Sequence, residues 1–469
     1  MISELLSSVV DIVWGMPLVF LLIGGGFYLI AISKMQILRG FGHAIGLLFK
    51  EAKSEGSDAP GQLSHFRALT NALSATVGMG NIGGVAVAIT QGGPGAIFWM
   101  WITALVGMNT KFFECTLSMM FRGKDYQGEV QGGPMYVIEN ALPKYWKPLA
   151  VMFAVCGMVG TLSIFNANQI TNLIVETVRP AFGAAEGDLA FGFKASLVTG
   201  LVLAGMVFYI LLGGLQRLAN VTSKLVPSMC VIYVLACLII LIQNLPAIPA
   251  VFASIFKEAF GIEAIGGGIT GAAVRAIMII GVKRAAFSNE AGMGTAPMAH
   301  GNAKTKEPVS EGLVAMLGPF IDTIVICTMT ALVILITVPE VVGQEGLSGI
   351  LVTRQAFEVS FSGVGPYVLV FVGFLFSFSS LVGFANYNQK CWNYLFKGRF
   401  SLGNKTFIVF YCSTIVLGAI AELTDVINLL DIGFALMAIP NMLATIVLAP
   451  KVHALAKDYF NRVVKVKVS

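Results

Sequence analysis

A chain of 469 residues that is 56% hydrophobic, only 12% charged and has a mean hydropathy of +0.82 cannot clothe a water-facing surface of its size. It reads as a polytopic membrane protein, and its formal net charge of +5 reflects where its loops lie, not affinity for nucleic acid. Seven cysteines without CxxC spacing and four histidines (His43, His65, His300, His453) without HxxxH spacing argue against a disulfide framework or a metal centre.

In chain order, the first apolar run, about Val9 to Ile32, is long enough to span a bilayer. It has no basic residue in front of it and no small-residue cleavage site, so it reads as a span and not as a signal peptide. Further spans are predicted at about 66–90, 93–120, 148–178, 193–213, 224–245, 268–300, 311–337, 365–390, 404–421 and 428–449, eleven in all, with 268–300 irregular. Two loop stretches, 36–63 with its polar Ser54–Gly61 linker and Gln131–Leu142, suit short helices on the cytoplasmic surface. With the N-terminus outside and the C-terminus in the cytoplasm, cytoplasmic segments hold 22 basic residues and external segments 4. A shift by one span would scramble that bias.

Within the spans, Asn71-Ala-Leu-Ser-Ala-Thr-Val-Gly-Met-Gly-Asn-Ile-Gly-Gly84 combines glycines, hydroxyls and amides that a lipid-facing helix has no use for. A broken helix lining a cavity does use them, because glycine lets the backbone unwind and frees N–H and C=O groups for a ligand. Close packing through Gly80-xxx-Gly84 is the other reading. The stretch has a counterpart: Ala291-Gly-Met-Gly-Thr295 repeats Val77-Gly-Met-Gly-Asn81 after Ser288-Asn-Glu290. Paired interrupted segments point to a transporter's central site.

Other polar groups lie in the spans. Lys111 and Glu114 are three apart and can pair on one helix. Asn166 and Gln169 share a face while Asn168 points elsewhere. Lys283 and Arg284 suit a structural pair with a carboxylate such as Glu290, or snorkelling. Asp322 is a functional candidate as an intramembrane carboxylate, with a structural hydrogen-bond acceptor as the alternative. In Phe376-Ser-Phe-Ser-Ser380 the hydroxyls can back-bond to their own helix or offer neutral oxygens to sodium.

Four stretches together resemble the signature of the sodium:alanine (alanine/glycine:cation) symporter family: Asn71 through Gly84, Gly92-Gly-Pro-Gly-Ala-Ile-Phe-Trp-Met-Trp101, Gly132-Gly-Pro-Met-Tyr136 and Phe287-Ser-Asn-Glu-Ala-Gly-Met-Gly-Thr-Ala-Pro297. The similarity runs through most of the chain. It implies an all-α membrane protein with the five-plus-five inverted repeat of the amino acid–polyamine–cation superfamily (a LeuT-like fold) behind one extra N-terminal helix. The implied units are 1–64 (first helix and linker), 65–262 and 263–450 (the two repeats) and 451–469 (a basic tail).

The same resemblance implies roles. The carboxylate of a small neutral amino acid would meet the break at Thr76, Gly78, Gly80 and Asn81, with its ammonium near Phe287, Ser288 and Asn166. Phe287, Met293 and Phe384 would bound the pocket. Sodium would bind at Ser74, Val77, Ser379 and Ser380. Many members have glutamine where this chain has Asn166 and tryptophan where it has Phe384, departures that bear on the substrate. The expected activity is sodium-coupled symport of alanine, glycine and, at the limit of size, serine, by a monomer in the plasma (inner) membrane with no nucleic-acid partner. Proton coupling and a passive pore are the alternatives. A pore would want a continuous polar path, and the polar groups here cluster at mid-membrane. An intramembrane enzyme would need a nucleophile–base pair or metal ligands in the spans, and no convincing set is present.

Overall fold

A computed structural model of the protein describes residues 2–34, 40–49, 61–126, 128–185, 187–261, 270–343, 349–397 and 403–464. The Ser54–Gly61 linker lies outside these residues except for Gly61. A short helix α1 (Ile2–Val13) leads into α2 (Met16–Ser33), whose Pro17 occupies a first-turn position that needs no N–H. Next come α3 (Phe41–Leu48), then α4 (His65–Thr76) and α5 (Gly80–Gly92), which meet at a bend of 53°. Helix α6 (Gly95–Met120) is followed by a two-stranded antiparallel ribbon, Gly123–Lys124 with Val130–Gln131. The chain continues through α7 (Pro134–Ala141), α8 (Lys147–Gly160), α9 (Ile164–Val178), α10 (Leu189–Leu211), α11 (Gly214–Gln243) and α12 (Ile248–Ala259). Beyond these lie α13 (Thr270–Asn289), α14 (Ala296–His300), α15 (Pro308–Thr337), α16 (Gly349–Ser360), α17 (Gly365–Phe396), α18 (Gly403–Ile420) and α19 (Leu423–Tyr459).

By length and apolar composition, eight of the described helical segments can cross a membrane when α8 and α9 are taken together, nine when α4 and α5 also count as one bent span. Two expected spans fall short for evident reasons: α13 carries Arg275, Lys283 and Arg284, and the apolar part of α18, Lys405–Ile420, is brief. Centre and periphery differ sharply. The apolar window of α6 is 72% buried, whereas that of α10 is 28% buried, and α10 and α11 turn Leu201, Val202, Val231 and Leu235 outward. Such side chains suit lipid, while the inner helices enclose the polar groups.

Both expected interruptions are present. The second lies between α13 and α14, where Glu290 (φ 56°), Gly292 (φ 84°) and Gly294 (φ 83°) take left-handed conformations that no helix continues through. Glu290 is the costly one, and Thr295 Oγ1 holds its carboxylate at 2.5 Å.

The ends of the broken segments are tied together. Gln62 and Leu63 N–H both donate to Asn302 O (2.8 and 3.1 Å), and Lys304 N–H donates to Leu63 O (2.7 Å). Buried Glu311 bonds His65 on one oxygen and His300 Nδ1 on the other (2.5 Å). At the opposite end of the bundle Gly343 N–H donates to Thr90 O (3.0 Å) and Trp99 Nε1 to Ala259 O (3.2 Å). Loops that the charge pattern assigns to one side of the membrane therefore meet on one side.

Three expectations need correction. Lys283 and Arg284 do form a structural pair, but with Asp431 Oδ2 on α19 (2.6 and 3.1 Å), not with Glu290. Lys111 and Glu114 form no ion pair among the described residues, and Glu114 instead accepts from Asn441 Nδ2 (2.7 Å). Helix α7 does not lie on the surface: Pro134 through Ile138 are buried, because the helix is short enough to wedge its first turns into the bundle.

Asp431 has the most to lose, being wholly buried and also receiving Trp14 Nε1 on its backbone carbonyl (2.9 Å). Replacing it with alanine strands two buried or half-buried cations, which costs on the order of 3–5 kcal/mol. We expect Asp431→Ala to lower the thermal unfolding midpoint of the detergent-purified protein by several degrees, where an exposed Asp458→Ala leaves it unmoved.

Candidate functional site

Helix α4 stops because Val77 turns to extended backbone (φ −80°, ψ 91°). The N–H groups beyond it find side chains in place of helical carbonyls. Gly78 N–H donates to Asn81 Oδ1 (2.8 Å) and Met79 N–H to Asn166 Oδ1 on α9 (2.9 Å). Position 78 admits no side chain: a Cβ there would lie 2.1 Å from Ser380 Oγ and 2.8 Å from Asn166 Oδ1. Of the two readings of this stretch, close packing through Gly80-xxx-Gly84 is not the one the structure takes. Gly80 faces the Phe287 ring, nothing lies within 4 Å of a Cβ at Gly84, and Gly80–Gly84 forms a wide, π-type turn that opens α5.

A second wide turn, Phe320–Cys327 within α15, packs against the first. Wide turns displace the carbonyl ladder and re-aim side chains, which is why they gather at functional sites. Here they set Asn81 against Asp322. Asn81 Nδ2 donates to Asp322 Oδ1 (2.5 Å) and Ser288 Oγ (3.1 Å), while Asp322 Oδ2 accepts from Ser288 Oγ (2.6 Å) and Thr323 Oγ1 (2.7 Å). Thr330 Oγ1 closes the set on Asn81 O (2.7 Å). Asp322 thus joins both interruptions, a position that mid-span placement alone did not disclose.

On the other side of α4 stands α17. Ser379 Oγ donates across to Ser74 O (3.1 Å) and Ser377 Oγ to Asn166 O (2.9 Å), so these hydroxyls do not back-bond to their own helix. Ser380 Oγ is buried with no hydrogen-bond partner among the described residues and faces Gly78. Gly383 permits the approach, since a Cβ there would meet Ser74 Oγ at 2.4 Å. Four residues expected in a cation site, Ser74, Val77, Ser379 and Ser380, therefore converge where α4 ends, offering neutral oxygens of the kind hard cations take.

Beside the first interruption is a cavity of about 10 Å³, about one water's room, lined by Thr76, Gly78, Gly80, Asn166, Phe287 and Phe384 among others. Asn81 and Ser288 lie just behind this wall, in the Asp322 network. Met293 is fully buried in the second interruption and does not line the cavity. Sequence reading missed Phe434 and Leu430 on α19 and the part played by Phe165: the Phe287 ring packs edge-on against Phe165 (5.1 Å) and Phe434 (5.5 Å). Phe434 and Leu430 lie in an ordinary apolar run and carried no signal. Gln169 Oε1 accepts from Ile350 N–H (3.1 Å), but its Nε2 donates to Asn168 Oδ1 (3.2 Å), while Asn168 Nδ2 donates to Gly418 O and Ala421 O (3.1 and 2.7 Å).

Two interrupted helices beside a small, largely apolar cavity are the arrangement of a secondary transporter's central site. Known proteins agree. The chain belongs to the sodium:alanine symporter family, whose model matches residues 1–468. It is 39% identical over 466 residues to an uncharacterized transporter of Haemophilus influenzae, covering 98% of this chain and 97% of that one. It is 38% identical over 460 residues to the sodium/alanine symporter AgcS of Methanococcus maripaludis, covering 97% of each. The probable sodium/glutamine symporter GlnT of Bacillus subtilis is 35% identical, with 96% and 89% covered. Among solved structures, the crystal structure of MhsT in complex with L-phenylalanine superposes with a TM-score of 0.58 at 14% identity, over 84% of this chain and 98% of that one. The fold is thus the LeuT-like inverted repeat, in a multi-pass membrane protein.

Asn81 serves both networks, so its loss is informative. Asn81→Ala leaves the Gly78 N–H and one Asp322 oxygen without partners, each worth about 1–3 kcal/mol when buried. Substrate uptake is expected to fall at least tenfold, while gel filtration still shows folded protein.

Proposed function

We propose that the protein is a sodium-coupled symporter of small neutral amino acids, alanine and glycine with serine at the limit of size. It works by alternating access, as a monomer in the plasma (inner) membrane, with the N-terminus outside and the C-terminus in the cytoplasm. The observation that carries the reading is the buried, unpartnered Ser380 hydroxyl aimed at the end of α4, beside Ser74 O and Ser379 Oγ. A sodium ion bridging Ser74 and Val77 carbonyls to Ser379 and Ser380 would pin α4 to α17. The substrate carboxylate would take N–H groups at Gly78 and Gly80, where α5 presents the positive end of its dipole. It would thereby replace Asn81 Oδ1 on Gly78. The ammonium would face carbonyls at Phe287 and Ser288 and the Asn166 side chain. Both ligands then favour the same closed arrangement, so each raises the other's affinity by one factor.

The decisive experiment is uptake of labelled alanine and glycine into proteoliposomes. Accumulation against a gradient when, and only when, sodium is supplied from outside is the expected result. Equilibration without accumulation indicates a pore, and accumulation driven by a pH gradient in sodium-free medium indicates proton coupling. Within that assay Ser379→Ala/Ser380→Ala removes two oxygens and little volume. Half-saturating sodium is expected to rise at least tenfold, with alanine affinity falling through the coupling. An unchanged sodium curve rejects the site.

Phe384 sets the side-chain end. In an apolar pocket one methylene is worth about 1–3 kcal/mol, so alanine over glycine is a modest preference, whereas a bulky side chain meets a packed wall. Phe384→Ala is expected to let leucine compete with alanine, at some cost in alanine affinity. Leucine competing equally well in the unmodified protein refutes the small pocket.

A further inference from the structure

A larger cavity, about 230 Å³ against about 10 Å³ for the central one, opens on the face of the bundle that carries the Gly123–Gln131 ribbon. In the orientation proposed above, this face is cytoplasmic. Burial changes along its depth: Asn302, Asn386 and Lys390 at the inner end are buried, while Gln62 and Glu129 at the mouth are exposed.

Charge changes with it. The Lys390 ammonium has no ion pair among the described residues and donates to Asn302 Oδ1 (3.0 Å). Beside it, Asn302 Nδ2 and Asn386 Nδ2 are buried donors without a partner among the described residues. Toward the mouth stand the Asp125 and Glu129 carboxylates, and the buried acceptor Gln131 Oε1 likewise has no partner among the described residues. Spare donors and a cation lie deep, and acceptors and anions lie shallow. A buried ammonium and three unspent amide atoms are costly unless a ligand uses them.

Helix α17 links this cavity to the central site. Ser379, Gly383, Asn386 and Lys390 fall at i, i+4, i+7 and i+11 and share one face. At 1.5 Å per residue Asn386 lies about 9 Å beyond Ser380 along the axis.

We propose that this cavity is a second, weaker substrate site that takes a zwitterionic amino acid on its way to the cytoplasm. The carboxylate points inward to Lys390, Asn302 and Asn386, and the ammonium points outward to Asp125, Glu129 and Gln131 Oε1. The proposal rests on the transport reading and goes beyond it, assigning the internal face its own recognition chemistry.

The test separates the two faces. In proteoliposomes of uniform orientation, half-saturating alanine is measured for efflux from the internal side and for uptake from the external side. Lys390→Met removes a charge-assisted contact and is expected to raise the internal value about tenfold and the external value less than about threefold. Lys390→Arg keeps the charge and restores most of the internal affinity. Should Lys390→Met fail to fold, Glu129→Gln at the exposed mouth is expected to raise the internal value about threefold. Equal shifts on both faces, or no internal shift, overturn the proposal. Internal acetate competing as well as alanine overturns it too, since only a zwitterion uses both ends. A wild-type protein that transports no alanine refutes the transport reading itself, before any variant is compared.

Discussion

A helix can be interrupted inside a membrane only where other groups take up the hydrogen bonds it relinquishes. In this protein two side chains meet that demand at the first interruption: Asn81 and Asn166 cap the N–H groups of Gly78 and Met79, and Asp322 in turn gathers Asn81 with Ser288. Everything else about the site follows from this constraint. The caps come from different helices, so the break in α4–α5 cannot be placed without α9 and α15. The two wide turns that aim Asn81 and Asp322 at one another belong to the same arrangement.

The charges obey a parallel rule. Taking an ion out of water is expensive, and three of the buried ones are held by more than one group or stand beside a cavity. Asp431 is shared by Lys283 and Arg284, and Glu311 by two histidines. Lys390 stands beside the large polar cavity. These clusters join segments far apart in sequence, so desolvation cost acts as a registration device that fixes which helices stand side by side.

Much of the fold was legible because hydropathy and glycine spacing are local signals. Val77-Gly-Met-Gly-Asn81 and its counterpart at 291–295 marked both interruptions without reference to any partner. The hydroxyls of Ser379 and Ser380 stood out because polar groups are rare in an apolar span. What stayed hidden were pairings that only the assembled bundle defines. Asp431 as the partner of Lys283 lies 148 positions away, and His65, His300 and Glu311 share no local spacing. The aromatic wall at Phe165 and Phe434 was invisible for the opposite reason, since a phenylalanine in an apolar run looks the same whether it meets lipid or a cavity.

The junction of Gln62 and Leu63 with Asn302 and Lys304 has a kinetic consequence. Three backbone hydrogen bonds and the Glu311 bridge close the same gap, and because they share one short stretch of chain they cannot be released singly. Separation at this face is therefore a single cooperative event, with an enthalpy that sums the broken bonds while little ordering entropy is returned until the last one goes. A step of that kind quickens steeply on warming. The rate of exposure on this side would then rise with temperature far faster than diffusion through an open path, a thermal signature carried by two short stretches of extended backbone.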